Sequence, residues 1–245
     1  MALLNKYKAD MTVLPSNCDF ECKLGLYDTF RIFMDIANTH AGILGVDQAA
    51  LMDQNLFWLT VKTRIHFFKR PFMNSPMKIE TWPVKPGSLR SDRCYRLLDS
   101  EGLIAEGRTE WAVMDLNRGR LSNIKDIFPA ELVFNEEDIS VVDYPRIVAC
   151  DDTYTEKGSY RVNSSDIDMG HHMNNTAYVR ALLGIYSEQE LTEMDIQEIT
   201  MIYKTSAHEG DILTLKEKRT DNIVEAGLYF PDGKPSVLAQ IVCKG

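Results

Sequence analysis

The sequence predicts an α+β protein built as two similar halves, each a long helix packed against a series of antiparallel strands. Three observations carry this. Apolar residues recur at helical spacing near 27–45 and again near 175–186. Each of these stretches is followed by segments in which apolar and polar residues alternate. The links between those segments are short, and short links join antiparallel strands, because parallel pairing needs a long crossover. With 245 residues the chain has room for two modest domains, each able to bury a core.

The first helix reads YDTFRIFMDIANTHAGILG. Phe30, Phe33, Met34, Ala37, Ala41 and Leu44 form one apolar stripe, and Gly45 is placed to stop the helix. In NLFWLTVKTRIHFF, Phe57, Leu59, Val61, Ile65 and Phe67 alternate with Trp58, Thr60, Lys62, Arg64 and His66, which reads as one half-buried strand. PMKIETWPV, LRSDRCYRLLD and LIAEGRTEWAVMD follow, with turns at Pro86-Gly87 and Glu101-Gly102. The second half opens with GSYRVNSSDID. Its helix, from about Asn175 to Tyr186, presents Tyr178, Val179, Leu182, Leu183 and Tyr186 on one face. Ser187 and Glu190 have capping-box spacing for a short extra turn. ITMIYKTSA, DILTLKEKRT, NIVEAGLYF and SVLAQIVCK complete the strands, with a hairpin at Pro231-Asp232-Gly233. The expected boundaries are a first domain over 1–121, an acidic and weakly periodic linker over 122–154, and a second domain over 155–245.

Composition narrows the function. The net charge of −9 argues against nucleic acid as a partner, since phosphate binding needs a positive surface. No apolar run is long enough for a membrane span. The opening MALLNKYKADMTVLP has neither an apolar signal core nor an Arg/Ser-rich presequence, so a cytoplasmic protein is expected. Cys18, Cys22, Cys94, Cys150 and Cys243 are odd in number, and no second pair answers Cys18/Cys22, so reduced thiols rather than a zinc site are expected.

The chemistry concentrates at 164–175, SSDIDMGHHMNN, where two of the chain's five histidines are adjacent. A metal site, a general-base site and a helix cap all fit these residue types. Adjacent histidines lack the i, i+4 spacing that sets two ligands on one helix face, which disfavours metal. Asp168 is the candidate base and His172 the candidate donor. Asp166 suits a loop-shaping role, Asn174 or Asn175 suits the N-cap, and His171 is read as structural.

Three segments resemble the acyl-acyl-carrier-protein thioesterase family of plants and bacteria. They are KIETWPVKPGSLRSDRCYRLLDSEGLIAEGRTEWAVMDLNRGRLSNI, SDIDMGHHMNNTAYV and MIYKTSAHEGDIL. The resemblance implies a tandem (double) hotdog fold, with a long helix packed in a curled antiparallel β-sheet in each half. It implies hydrolysis of a fatty acyl thioester to free fatty acid, without metal or cofactor. The implied partner is acyl carrier protein, which bears the acyl chain on phosphopantetheine; monomer and homodimer both remain open. The family's catalytic Asp, Asn and His fall on Asp168, Gly170 and His172, and its Glu falls on Ser206, beside Ala207. Two positions therefore depart from the pattern, and His171, Asn174, Asn175, His208 and Glu209 are the neighbours available to substitute. Asn174 and Asn175 are expected near the substrate. The acyl chain is expected against Phe30, Phe33, Met34, Ile43, Leu44, Phe57 and Leu59 of the first half. An acidic carrier calls for local positive charge, for which Lys62, Arg64, Lys69 and Arg70, with Arg118, Arg120 and Lys125, are the best-clustered cations. An acyl-CoA thioesterase and a non-catalytic acyl-binding hotdog protein stay open as alternatives.

Overall fold

The computed structural model describes residues 3–245, and the chain divides into two compact units, Met1–Val142 and Asp143–Gly245. The first contains β1 (Tyr7–Thr12), α1 (Leu26–Ile43), α2 (Gln48–Met52), β2 (Leu56–Phe67), β3 (Pro76–Pro83), β4 (Ser91–Asp99), β5 (Gly102–Asp115) and the short β6 (Arg120–Leu121). Its strands pair antiparallel in the order β1–β3–β4–β5–β2, with β6 on β5. The apolar stripe of α1 covers this sheet. Phe30 and Phe33 are buried, and Phe33 stacks on Tyr95 of β4 at a centroid distance of 4.7 Å. The helix ends where the stripe predicts, with Gly45 just beyond it at φ 70°, a conformation glycine adopts without strain.

β2 corrects the reading of its segment as one uninterrupted alternation. The pairing with β5 shifts register between Thr60 and Lys62, leaving Val61 as a bulge. Before the bulge, Trp58 lies opposite Val113 and joins the core of Leu44, Val46 and Leu51; after it, Thr63, Ile65 and Phe67 are the buried residues. The extra residue flips the inward set from even to odd numbers. Phe57 and Leu59 therefore share the face of Lys62, Arg64 and His66 rather than that of Ile65 and Phe67.

The stretch 122–154 holds one 3₁₀ turn, Ile124–Asp126, and no strand. Several of its apolar residues are nonetheless anchored. Ile124, Phe128 and Leu132 join the Leu44 cluster, Ile139 and Val141 pack with Trp82 and Cys94, and Ile147 packs with Ile202, Tyr229 and Leu238. Glu106, 2 % exposed, accepts from both the N–H and the hydroxyl of Ser140.

The second unit contains β7 (Thr155–Arg161), α3 (Asn175–Leu183), α4 (Glu188–Met194), β8 (Ile196–Tyr203), β9 (Ile212–Thr220), β10 (Ile223–Tyr229) and β11 (Pro235–Cys243). The order β7–β9–β10–β11–β8 repeats that of the first unit strand for strand. Ser187 and Glu190 form the expected capping box on α4. Helix α3 stops at Gly184, short of Tyr186, whose hydroxyl instead bonds Glu217 of β9. No helix among the described residues is long and apolar enough to cross a membrane.

Candidate active site

The loop from β7 to α3 is held by Asp166. This side chain is 1 % exposed, accepts from Tyr160 Oη and Asn163 N at 2.8 Å each, and forms an ion pair with Arg180 of α3. With its acceptor capacity spent on the scaffold, Asp166 has the loop-shaping role expected of it. Asp168 follows at the turn. Its Oδ1 accepts from Gly170 N at 2.8 Å, its carbonyl accepts from His171 N at 3.0 Å, and its N–H donates to the His172 carbonyl at 2.9 Å. His171 absorbs the reversal in the left-handed region at φ 59°. Gly170 is not among the residues of positive φ, so nothing in its backbone conformation demands glycine.

A second loop, between β8 and β9, is stitched to the first. Met173 N donates to the Ala207 carbonyl at 2.8 Å, and Ala207 N donates to Tyr178 Oη at 2.8 Å. Ser236 Oγ lies 3.1 Å from the same Oη and donates to the Thr205 carbonyl at 2.7 Å. Burial raises the Tyr178 pKa, so the phenol stays neutral while it holds the loop. The sequence places Tyr178 in an apolar stripe, and nothing in that pattern reveals the tip's task. This stitching sets the rings of His172 and His208 edge to face, 5.0 Å apart. Ser206, at the family's Glu position, is exposed.

Asn174 is the N-cap of α3: its Oδ1 accepts from Thr176 N at 2.9 Å and Thr176 Oγ1 at 2.8 Å. The N–H of Asn174 goes to the Asp166 carbonyl, and that of Ala177 to the Asn174 carbonyl. Three of the four backbone N–H groups over Asn174–Ala177, those of Asn174, Thr176 and Ala177, are therefore already paired. What α3 offers a developing negative charge is its dipole rather than those N–H groups.

The same loop backbone occurs in the first unit. Asp19 N donates to the Lys23 carbonyl at 2.9 Å, Cys22 N to the Asp19 carbonyl at 3.1 Å, and Asp19 Oδ1 accepts from Glu21 N at 3.0 Å. Cys22 takes the left-handed φ of 56°, and the bridge Cys18–Leu24 matches Ile167–Met173. There, however, the aspartate is ion-paired to Arg70, and Lys23 stands where the second loop has His172.

The remaining expected residues are scattered. Phe30 and Phe33 lie in the first unit's interior and Met34 is half-buried, but Ile43 is 51 % exposed at the end of α1. Leu44 belongs to the Trp58 cluster. The proposed basic patch is largely neutralised within the chain. Lys69 bridges Asp99 and Glu101, Arg70 bridges Asp19 and Glu21, and Lys62 lies 3.7 Å from Glu110. No group of three or more His, Cys, Asp or Glu among the described residues is placed to hold a metal ion.

Comparison with known proteins gives the class. The acyl-ACP thioesterase N-terminal domain model matches residues 4–132 and the C-terminal domain model matches residues 150–232. The chain belongs to the acyl-ACP thioesterase family. A chloroplastic oleoyl-acyl carrier protein thioesterase of Arabidopsis thaliana is 26 % identical over 194 residues, 73 % of this chain and 52 % of the relative. A chloroplastic palmitoyl-acyl carrier protein thioesterase of Gossypium hirsutum is 22 % identical over 77 % of this chain and 49 % of its own length. The chain thus spans about half the length of these curated relatives. Among solved structures, an acyl-ACP thioesterase from Bacteroides thetaiotaomicron superposes with a TM-score of 0.88 at 18 % identity, covering 98 % of both chains. The 12:0-ACP thioesterase of Umbellularia californica gives 0.77 at 14 % identity, over 98 % of this chain and 97 % of the other. Together with the repeated helix-and-sheet units, these likenesses establish the tandem hotdog fold.

Proposed function

We propose that the protein hydrolyses acyl-acyl-carrier-protein thioesters, releasing free fatty acid and carrier thiol. The observation that carries this is the presence of Asp168 and His172 on one tight turn, closed by the backbone bond from Asp168 N to the His172 carbonyl, in a chain matched by both domains of the thioesterase family. Asp168 Oδ1 holds the turn, and the carboxylate's other oxygen is the base that takes a proton from the attacking water. The hydroxide equivalent adds to the thioester carbonyl, His172 donates to the developing oxyanion, and collapse expels the phosphopantetheine thiolate, which takes up the proton. His208, edge-on to His172, is the neighbour best placed to fix the orientation of that ring. Gly170 and Ser206 remove the family's amide and carboxylate, so turnover below the family's usual rate is expected. The acidic composition and unpaired cysteines fit a cytoplasmic setting. An acidic carrier docking at Lys69 and Arg70 has to displace Asp99, Glu101, Asp19 and Glu21.

The test is free-thiol release from carrier-linked and CoA-linked acyl substrates by the wild type, Asp168→Asn and His172→Ala, with EDTA present. Carrier-linked turnover that survives EDTA and falls by about 10²-fold or more in both variants supports the reading. Absence of turnover at every chain length makes this an acyl-binding protein, and loss with EDTA alone assigns the histidines to a metal.

A further inference from the structure

The interior of the first unit contains a cation with no counter-charge. Arg93 of β4 is 6 % exposed, and its hydrogen-bond partners are two neutral groups, His40 Nδ1 at 3.0 Å and Thr81 Oγ1 at 3.3 Å. Both are reached through Nη1, which leaves the N–H groups of Nε and Nη2 for another acceptor. No carboxylate among the described residues forms an ion pair with it, although most other arginines of this chain have one. A buried charge left in this state is expensive, and proteins ordinarily pair it.

Arg93 is not the only unused donor there. On the neighbouring strand β5, in register with β4, Trp111 Nε1 is buried without a hydrogen-bond partner, and so is Tyr95 Oη on β4 itself. The Thr109 and Trp111 side chains lie near enough to Tyr95 Oη to oppose the rise that burial imposes on its pKa, yet neither reaches hydrogen-bond geometry. Thr109 lies opposite Arg93 in the sheet. A guanidinium, an indole N–H and a phenol thus share one inner face of the sheet beneath α1, the helix on which the family resemblance places the acyl chain.

We propose that this layer receives a hydrogen-bond-accepting oxygen carried on the acyl chain, with a carboxylate at the chain's far end as the form that also neutralises Arg93. The inference rests on the thioesterase reading and names its substrate class: oxygenated acyl groups rather than plain hydrocarbon chains. A hydrocarbon tail would leave the three donors unmatched, whereas one carboxylate can accept from Arg93 in the bidentate manner and still accept from Trp111 or Tyr95.

The experiment compares free-thiol release from two carrier-linked thioesters of equal length, decanoyl and the decanedioic acid monothioester, by the wild type and Arg93→Met. The wild type is expected to prefer the carboxylate-bearing chain. The preference, as a ratio of kcat/KM values, is expected to fall about ten- to a hundredfold in Arg93→Met. A wild type that prefers decanoyl, or a ratio unchanged by the substitution, overturns the inference and leaves thioester hydrolysis standing. If neither substrate is turned over, the proposed function fails, and the layer is then judged by thermal melting with decanedioate and decanoate as probes. Stabilisation by decanedioate alone, lost in Arg93→Met, supports it; equal or absent shifts refute it. Should Arg93→Met fail to fold, Trp111→Phe removes only the indole donor. It is expected to lower the same ratio by roughly threefold to tenfold, and an unchanged ratio counts against the proposal.

Discussion

His40 lies on α1 with no exposed surface, and both of its ring nitrogens are committed. Nδ1 is 3.0 Å from Arg93 Nη1, a group that can only donate, and Nε2 is 2.7 Å from the Leu4 carbonyl, a group that can only accept. The ring must therefore be neutral, with its proton on Nε2. A second proton would displace the Arg93 bond and set two cations side by side. Burial, aided by Arg93, lowers the His40 pKa from 6.5 to about 4. Between those values the unfolded chain binds a proton that the folded one refuses. Stability is thus undiminished by this group above pH 6.5 and falls as pH drops toward 4. At about 1.4 kcal/mol per pH unit, the loss relative to pH 8 reaches about 2.5 kcal/mol by pH 4.5 and tends to about 3.5 kcal/mol below that. His40→Gln is the control, since an amide can accept from Arg93 and donate to Leu4 without titrating. Urea unfolding of both proteins from pH 8 to pH 4.5 should show the wild type losing that much more stability than the variant. A difference that stays flat across the range, or grows in favour of the wild type as pH falls, would refute the reasoning.

Gly107 faces the Phe33–Tyr95 stack, where an added Cβ would stand 2.6 Å from Phe33 Cε2. Gly107→Ala should cost about 1–3 kcal/mol by chemical denaturation, and Phe33→Leu in the same chain should return part of it. Asp166→Asn weakens the ion pair to Arg180 and one of two acceptor oxygens, and a loss of about 2 kcal/mol with a lower melting temperature is expected. Gly170→Asn restores the family's amide at a position whose φ lies outside the left-handed region, so it should fold normally and raise kcat by roughly tenfold or more. An unchanged kcat for that variant would show that another group already supplies the missing donor.

The elements that were legible are those with an unbroken period. The stripe of α1, the strands β3 to β5 and β9 to β11, and the capping box of α4 lie where spacing and turn chemistry put them, whereas β8 runs Ile196–Tyr203 and leaves the expected strand residues 204–207 in a loop. What was not legible has a common physical source. In β2, one bulged residue exchanged the two faces, an event invisible in a pattern that alternates on both sides of it. In 122–154, single apolar anchors such as Phe128, Ile139 and Ile147 are buried at irregular spacing, so there was no period to detect. At the candidate site, the motif singles out Asp168 and His172, but the contacts that fix their loop come from Tyr160, Arg180, Ala207 and Tyr178, residues whose roles depend on tertiary placement.

On the proposed mechanism, the duplicated loop separates scaffold from chemistry. Both copies use the same aspartate turn, the same left-handed residue and the same bridge leading to the N-terminus of a helix. Backbone geometry alone therefore does not distinguish Asp168 from Asp19. The copies differ in what surrounds the carboxylate. Asp19 is held by Arg70, which also binds Glu21. Asp168 makes no ion pair among the described residues, and the position occupied by Lys23 in the first copy carries His172 in the second. The ion pair that occupies the Asp19 carboxylate is absent from the loop to which the proposed mechanism assigns the base. Asp19→Asn should accordingly cost stability through Arg70 and leave thioester hydrolysis intact, whereas Asp168→Asn should do the reverse. A loss of turnover in Asp19→Asn without unfolding would mean that the first loop also takes part in the reaction.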